Sequence, residues 1–315
     1  MISVVYITGR RDPKWEWFVE AMALQIDPLS TEFEFIFVDR LHDEEREQRL
    51  AVMIGGRFQH RHVPVMPNAY QGAHRATARD WFFAGAARNT GIVCARGEYV
   101  MFIDDLSWPA PSWIERVRAG AEAKYLLAGM YKKVKDLRIE KGVHISHTVF
   151  PPGVDSRWGY VSDSEPMPWQ GSAVYGCSFG APLENLLTCD GCGYETAAQG
   201  AEDYDLGVRL ERSGLKVMID KLCLTLESEE DHSKEPSLPR ESKRVLPHCL
   251  PAGYEGNTMS DHVHLNRLVR EKSRVTPLYP MGLRPIREEF LRSGRFPLQQ
   301  MPATDWRDGQ PLALL

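Results

Sequence analysis

The chain has 315 residues, of which 43% are hydrophobic and 26% charged, as in an ordinary globular protein long enough to bury a large core. The formal net charge of −5 excludes binding of a polyanion through overall charge, so such binding would need a local basic patch. The first residues lack a cationic leader, and no window approaches about 18 uninterrupted apolar residues. We therefore expect a cytoplasmic protein without a transmembrane segment.

The chain begins with alternating strands and helices. Residues 2–8 and 33–38 are apolar runs typical of buried strands. Between them, Asp12 suits an N-cap and Pro13 a first helical position, which predicts a helix through about Gln25. The order strand, helix, strand favours a parallel sheet with helical crossovers.

Further elements follow in order: a solvated helix face at 42–50, a loop with a short strand at 60–72, a helix at 76–95 and a strand at 99–103. That strand ends at two adjacent carboxylates, Asp104 and Asp105. Open α/β sheets bind ligands at the carboxyl ends of their strands, so these acids are candidate ligand-binding groups. Adjacent like charges after an apolar run also need a cationic or polar partner.

The second half of the chain has a different pattern. It predicts a helix at 112–123, a strand at 125–130, a mixed substrate-side region at 131–170, a helix at 201–214 and a strand at 216–226. Helices near 260–272 and 284–293 precede a loose tail. Only Cys189 and Cys192 among the six cysteines have metal-like spacing, and one such pair is weak evidence for zinc.

Three stretches resemble the family 2-like glycosyltransferases with the GT-A fold. They are "AARNTGIVCARGEYVMFIDDLSWPAPSWIE", "GCGYETAAQGAEDYDLGVRLERSG", and "SVVYITGRR" together with "FEFIFVDR". The resemblance covers roughly residues 2–230 and implies an α/β fold, a Rossmann-like mixed sheet flanked by helices. It implies a domain at 1–230, with a nucleotide-sugar half at 1–125 and an acceptor half at 126–230. Residues 231–315 would be a C-terminal helical extension and tail.

The resemblance also implies a nucleotide-sugar site. Its candidate residues are Thr8, Gly9, Arg10, Asp39, Arg88, Asn89, Asp104 and Asp105. Gly9 would let the backbone approach the nucleotide closely. Asp39 has the alternative of capping a turn, and Arg88 with Asn89 that of an exposed helical pair.

A divalent cation is the next implication. Asp104 resembles the first acid of the family's Asp-x-Asp motif, whose acids help to hold Mn²⁺ or Mg²⁺ across the donor diphosphate. Leu106 stands where the second acid would be and cannot bind a metal. Asp105 and His232 are therefore the candidate ligands, although His232 also fits a solvated histidine in an acidic turn.

The catalytic candidates stand at the start of the helix at 201–214. By resemblance, Asp203 is the general base of an inverting displacement and Glu202 orients the acceptor. Carboxylates are favoured in a first helical turn, which is also the alternative explanation for the pair. Trp158 and Trp169 are candidates for stacking on the acceptor, or ordinary core residues.

The sequence thus predicts an inverting glycosyltransferase with a UDP- or GDP-sugar donor. Its acceptor would be a glycan or, given basic stretches at 132–141 and 261–295, a hydroxymethylated base in DNA. The alternative is a non-catalytic protein of the same fold that binds sugar nucleotides or carbohydrate, which the leucine at position 106 would permit.

Overall fold

The computed structural model describes residues 1–28, 30–68, 82–193, 201–234 and 282–296. The strands are β1 (Ile2–Thr8), β2 (Phe33–Asp39), β3 (Gln59–Pro64), β4 (Tyr99–Asp104), β5 (Ser107–Pro109), β6 (Leu126–Glu140), β7 (Val143–Val154), β8 (Met167–Pro168), β9 (Ser178–Pro182) and β10 (Val217–Ser228). The helices are α1 (Trp15–Gln25), α2 (Glu44–Ile54), α3 (Ala84–Cys94), α4 (Trp113–Ala123), α5 (Leu183–Thr188), α6 (Glu202–Arg212), α7 (Glu229–Lys234) and α8 (Leu283–Ser293).

These strands form one mixed sheet. Its order is β3-β2-β1-β4-β9-β6-β10-β5, with β7 paired to β6 and β8 paired to β10. The strands from β3 to β4 run parallel, as the first three elements predict, while β9 runs antiparallel between β4 and β6. The predicted Rossmann-like mixed sheet is confirmed, and it brings the carboxyl ends of β1, β2 and β4 to one edge.

Both faces of the sheet are covered by helices. One face packs against α1, α2 and α4 through large side chains such as Trp15, Phe18 and Trp113. The other face packs against α3, α5, α6 and α8, with Phe102 and Phe179 from the sheet at the centre of that layer. Burial on both faces explains why β1, β2 and β4 are continuous apolar runs instead of alternating ones.

Helix α1 begins later than the sequence predicts. Helix α1 starts at Trp15, because Lys14 has a left-handed backbone (φ 58°) and the Pro13 carbonyl accepts the Leu106 N–H from outside the helix. Helix α3 starts at Ala84 after an extended Phe83; the predicted start at Ala76 lies outside the described residues. The end of α6 agrees with its prediction, since Gly214 follows the helix with φ 92°.

The C-terminal helix α8 packs on the body of the protein. Leu283 and Ile286 are buried in the same layer as α3. Asp190 caps α8 by accepting the Leu283 N–H at 2.6 Å, and Arg287 donates to the Ala95 carbonyl at 2.8 Å. The division at residue 230 stays a prediction, and the helix predicted near 260–272 lies outside the described residues.

In the described ranges, none of the helices has the length and apolar character that crossing a membrane requires.

Candidate functional site

A cavity of about 460 Å³ opens at the edge where β1 and β4 end. Its charged and titratable side chains are Arg10, Asp104, Asp105, Lys133, Glu227 and His232. Aromatic side chains of Phe82, Tyr131 and Tyr175 complete much of the wall. The structure therefore brings four of the candidate residues, Arg10, Asp104, Asp105 and His232, to one cavity.

The loop after β1 holds the second acid of the pair. Asp105 accepts a hydrogen bond from the Thr8 hydroxyl at 2.6 Å and from the Arg10 guanidinium at 3.2 Å. Thr8 also accepts the Arg10 N–H, so this turn is fixed from both sides. Gly9 lies against the Phe82 ring, where a Cβ would come within 2.6 Å of a ring carbon. These contacts supply the cationic and polar partners that the acid pair requires.

The residue after the acid pair lies outside the cavity wall. Leu106 is 2% exposed and has a left-handed backbone, with φ 60°. Its N–H donates to Pro13 and its carbonyl accepts from Ser228. The backbone is thus anchored on both sides, and the side chain at position 106 is absent from the set that lines the cavity.

Arg88 connects the cavity to the start of α6. Its guanidinium donates to Asp104 at 2.8 Å and to Glu202 at 2.9 Å, and it is 1% exposed. Burial alone would lower the pKa of Arg88, but the two carboxylates raise it above its usual range. Burial raises the pKa of Asp104 to about 6, against the opposing effect of Arg88. Arg88 and Glu202 therefore position Asp104, and the prediction that Arg88 faces a nucleotide remains a prediction.

Asp203 contacts the segment 175–177, whose two outer residues line the cavity. It accepts the backbone N–H of Gly176 at 2.5 Å and that of Tyr204 at 2.8 Å, and it is half-buried. Gly176 lies between two cavity-lining residues, and a Cβ there would collide with the Arg88 guanidinium. The base candidate is thus held beside the cavity by close backbone packing.

Asn89 has a structural partner. Its amide donates to the Cys192 carbonyl at 2.9 Å and accepts the Cys192 N–H at 2.7 Å, and the side chain is buried. Arg209 on α6 donates to the carbonyls of Cys189 and Gly191 in the same loop. These contacts tie α3 and α6 together through the loop at 189–193. Whether Asn89 also faces a nucleotide stays a prediction.

Asp39 ends β2 in a buried cluster. Its carboxylate accepts from Arg46 at 2.7 Å and from the Leu41 N–H at 2.8 Å, and it lies 3.2 Å from His62. Burial alone would raise the pKa of Asp39, but the hydrogen bonds from His62 and Arg46 hold it below its ordinary value. The side chain is fully buried, so its observed contacts are those of a turn-organising acid.

The two candidate tryptophans pack against the core and do not line the cavity. Trp158 lies half-buried between the ammonium groups of Lys132 and Lys221, at 3.8 and 4.6 Å from its ring centre. Trp169 is also half-buried against the core. The aromatic side chains that line the cavity are instead those of Phe82, Tyr131 and Tyr175, which sequence reasoning missed.

Glu227 is the other residue that sequence reasoning missed. It is half-buried, and its Oε1 atom has no hydrogen-bond partner within the part of the chain that the structure describes. Burial, followed by the nearby charge of Asp104, raises the pKa of Glu227 to about 8. Glu227 could have been identified from the sequence as an acid near the end of the apolar strand β10, in the same way that Asp104 was identified at the end of β4.

The donor atoms of the cavity suit a hard divalent cation. Carboxylate oxygens of Asp105 and Glu227 and the imidazole of the exposed His232 face one space. Among the described residues no three Asp, Glu, His or Cys side chains converge on a common metal position. Mg²⁺ is usually held by one or two carboxylates together with substrate phosphates, so the unpartnered Glu227 oxygen fits a site that a diphosphate completes.

Comparison with known proteins agrees with this architecture. The family described as "Glycosyl transferase family 2" matches residues 74–178, which include α3, β4 and the acid pair. No curated protein matches the sequence.

The similar solved structures are of TarS from S. aureus. One TarS structure has a TM-score of 0.50 at 14% identity; the match covers 86% of this chain and 42% of that one. TarS 1-349 in complex with UDP has a TM-score of 0.50 at 16% identity, over 85% of this chain and 72% of that one. The complex with UDP-GlcNAc has a TM-score of 0.50 at 13% identity, over 91% and 78%. The chain thus spans less than half of the longer TarS chain, and the likeness shows the fold.

Proposed function

We propose that the chain is a family 2-like glycosyltransferase that moves a sugar from a nucleotide-sugar donor to an acceptor hydroxyl with inversion; the family match over residues 74–178 and the similar fold of TarS support this. The observation that carries this proposal is the buried bridge from Asp104 through Arg88 to Glu202. It joins the cavity at the end of β4 to the first turn of α6, where Asp203 stands.

The donor in this proposal is a UDP-sugar, with a GDP-sugar as the second choice. TarS binds UDP and UDP-GlcNAc on a similar fold, which favours the uridine nucleotide. Arg10, Asp104 and Asp105 would contact the donor, since they line the cavity at the ends of β1 and β4, and the buried Thr8 would position Asp105 through its hydroxyl. Asp39, Arg88 and Asn89 would shape this site through the protein contacts described above.

The reaction is a direct displacement at the anomeric carbon. Asp203 accepts the proton of the acceptor hydroxyl, the acceptor oxygen forms the new bond, and the bond to the diphosphate breaks. The nucleoside diphosphate leaves with that electron pair. Glu202 is buried against Arg88, so its role is to position the Asp104–Arg88–Glu202 cluster. Through this cluster it would position the acceptor side of the site.

Asp105 and His232 are the residues that would hold Mn²⁺ or Mg²⁺, which would neutralise the leaving diphosphate. Arg10 and Lys133 lie on the same cavity wall and would contribute positive charge to the same group.

A glycan is the first choice of acceptor. Tyr131 and Tyr175 present half-buried rings to the cavity, and aromatic faces suit stacking on a sugar. A hydroxymethylated base in DNA is favoured by one feature, the exposed Lys135 and Arg138 on the long strand β6. Most of the charge on this strand is engaged within the protein: Arg138 pairs with Glu140 at 3.0 Å, Lys132 stacks on Trp158, and Lys133 pairs with Glu229 at 3.6 Å. If the protein does not bind DNA even at low salt, a base in DNA is excluded as the acceptor.

The non-catalytic alternative has less support. A binding protein would need no base, yet Asp203 is held by two backbone N–H groups next to the cavity. The test is a screen of UDP- and GDP-sugars for nucleotide release, with Asp203→Asn as the matched blank. Release by the wild type and a loss of at least about 100-fold in the variant support the proposal. Equal release by both proteins, or binding without turnover for every donor, contradicts it.

A further inference from the structure

Position 106 does not supply a metal ligand in this fold. The Leu106 backbone is anchored at Pro13 and Ser228, and its side chain is buried outside the cavity wall. A donor diphosphate in the cavity would therefore lack the second acid that the resemblance implies. Another carboxylate has to take that place if a cation is bound.

The neighbouring strand presents such a carboxylate. β10 pairs with β5 so that Glu227 lies opposite Ser107, the residue that follows Leu106. Ser228, the next residue, donates its N–H to the Leu106 carbonyl. Glu227 is thus one strand away from the missing acid and lines the same cavity as Asp104 and Asp105.

The charge of the cavity points to a cation. The cavity is lined by three carboxyl groups, those of Asp104, Asp105 and Glu227, and by two cationic side chains, Arg10 and Lys133. Arg88, which is outside this lining, is paired with Asp104. Arg10 is already paired with Asp105, and Lys133 is paired with Glu229. A diphosphate would add two further negative charges, which a divalent cation offsets. Glu227 Oε1, which has no hydrogen-bond partner among the described residues, has free capacity to bind it.

We propose that Glu227 replaces the missing second acid and binds, with Asp105, the divalent cation that bridges the protein to the donor diphosphate. This inference rests on the proposed nucleotide-sugar donor.

The experiment is a calorimetric titration of Mn²⁺ into the protein with UDP or GDP present, whichever binds more tightly. Glu227→Gln is compared with the wild type and with Glu230→Gln. Glu230 is three residues further along, outside the cavity wall, so its variant loses the same charge without the ligand. A second titration measures nucleotide binding with the metal chelated.

We expect Glu227→Gln to weaken Mn²⁺ binding by at least about tenfold, since losing even an outer-shell partner typically costs that much. Glu230→Gln should stay within about twofold, and metal-free nucleotide affinity should change little in either variant. Unchanged Mn²⁺ affinity in Glu227→Gln, or no Mn²⁺ binding by the wild type beside bound nucleotide, overturns the inference. Unchanged Mn²⁺ affinity in Glu227→Gln would mean that Glu227 acts as a protonated hydrogen-bond donor, a role that glutamine can also fill. Absence of any nucleotide binding contradicts the proposed function itself.

Discussion

At the scale of single residues, Arg88 is the central charge of the site. It is 1% exposed and satisfies two carboxylates on different elements, Asp104 on β4 and Glu202 on α6. Removing one partner of a buried ion pair leaves the other charges buried without compensation. Arg88 therefore contributes both to the stability of the fold and to the position of Asp104.

We predict that Arg88→Met lowers the free energy of unfolding by about 3–5 kcal/mol, because two carboxylates lose their buried partner. Urea denaturation measures this difference. The matched control is Arg118→Met, which breaks the Arg118–Glu32 pair, 40% exposed on both sides, and should cost less than about 1 kcal/mol. Similar losses in the two variants would show that the bridge is not a stabilising element.

Asp39 gives a prediction about pH. Its folded pKa is lowered by His62 and Arg46 against the effect of burial, so the unfolded chain binds the proton more readily than the folded one. Its contribution to stability is fully present above the unfolded pKa, about 3.9, and is lost as the pH falls through the folded pKa.

We therefore expect Asp39→Asn to be less stable than the wild type at pH 7, with a difference that shrinks as the pH falls below about 4. Urea denaturation at pH 7, 5 and 3.5 is the measurement. The control is Asp12→Asn, which removes an exposed pair with Lys14 and should change stability little at each pH. A difference that is independent of pH would contradict the assignment.

At the scale of elements, the turn from β4 to β5 shows what sequence reasoning reaches. The carboxyl end of β4 and the order of strands place Asp104 and Asp105 at the ligand-binding edge, and the structure agrees. The hydrophobic periodicity of the sequence does not indicate which strand from a later part of the chain pairs beside that turn. Glu227 and Tyr131 were missed for this reason, since their place depends on pairing of β10 with β5 and β6.

Helix starts were predicted less well than strands. The Asp12-Pro13 pair is a favourable start for an isolated helix. In the structure, however, the Pro13 carbonyl accepts hydrogen bonds from the Tyr6 hydroxyl and the Leu106 N–H, which hold it at the edge of the sheet. Asn89 and Trp158 depend on the same kind of long-range packing. A local sequence pattern cannot indicate that the Asn89 amide will bond to the backbone of Cys192. It also cannot indicate that two lysine ammonium groups will lie close to the Trp158 ring.

The β4–β5 turn also yields a prediction about Leu106. We expect Leu106→Asp, which restores the family's second acid, to destabilise the fold by at least about 2 kcal/mol, because a carboxylate would be buried without a partner. It should leave Mn²⁺ affinity unchanged, as position 106 does not line the cavity. Urea denaturation and the Mn²⁺ titration measure both effects. Leu106→Met, which keeps the volume, should cost less than about 1.5 kcal/mol. Tighter Mn²⁺ binding by Leu106→Asp would show that the side chain reaches the site.

At the scale of the whole molecule, the site depends on elements from distant parts of the chain. Helix α3 carries Arg88, which holds Asp104, and Asn89, which holds the loop at 189–193; α8, almost 200 residues later, packs on α3. Asp190, in the loop that Asn89 holds, caps α8. Loss of α8 packing should therefore affect the same body that positions the Asp104–Arg88–Glu202 cluster.

We predict that Ile286→Ala lowers the free energy of unfolding of the whole chain by about 2–5 kcal/mol, because it opens a cavity in a layer shared with the sheet. Thermal or urea unfolding followed by tryptophan fluorescence and by far-ultraviolet circular dichroism should still give one coincident transition. Ile145→Ala, at a side chain 48% exposed on β7, is the control and should stay within about 0.5 kcal/mol. A separate early transition, with the main one unchanged, would mean that α8 belongs to an independent C-terminal unit and not to the body formed by the sheet and its helices.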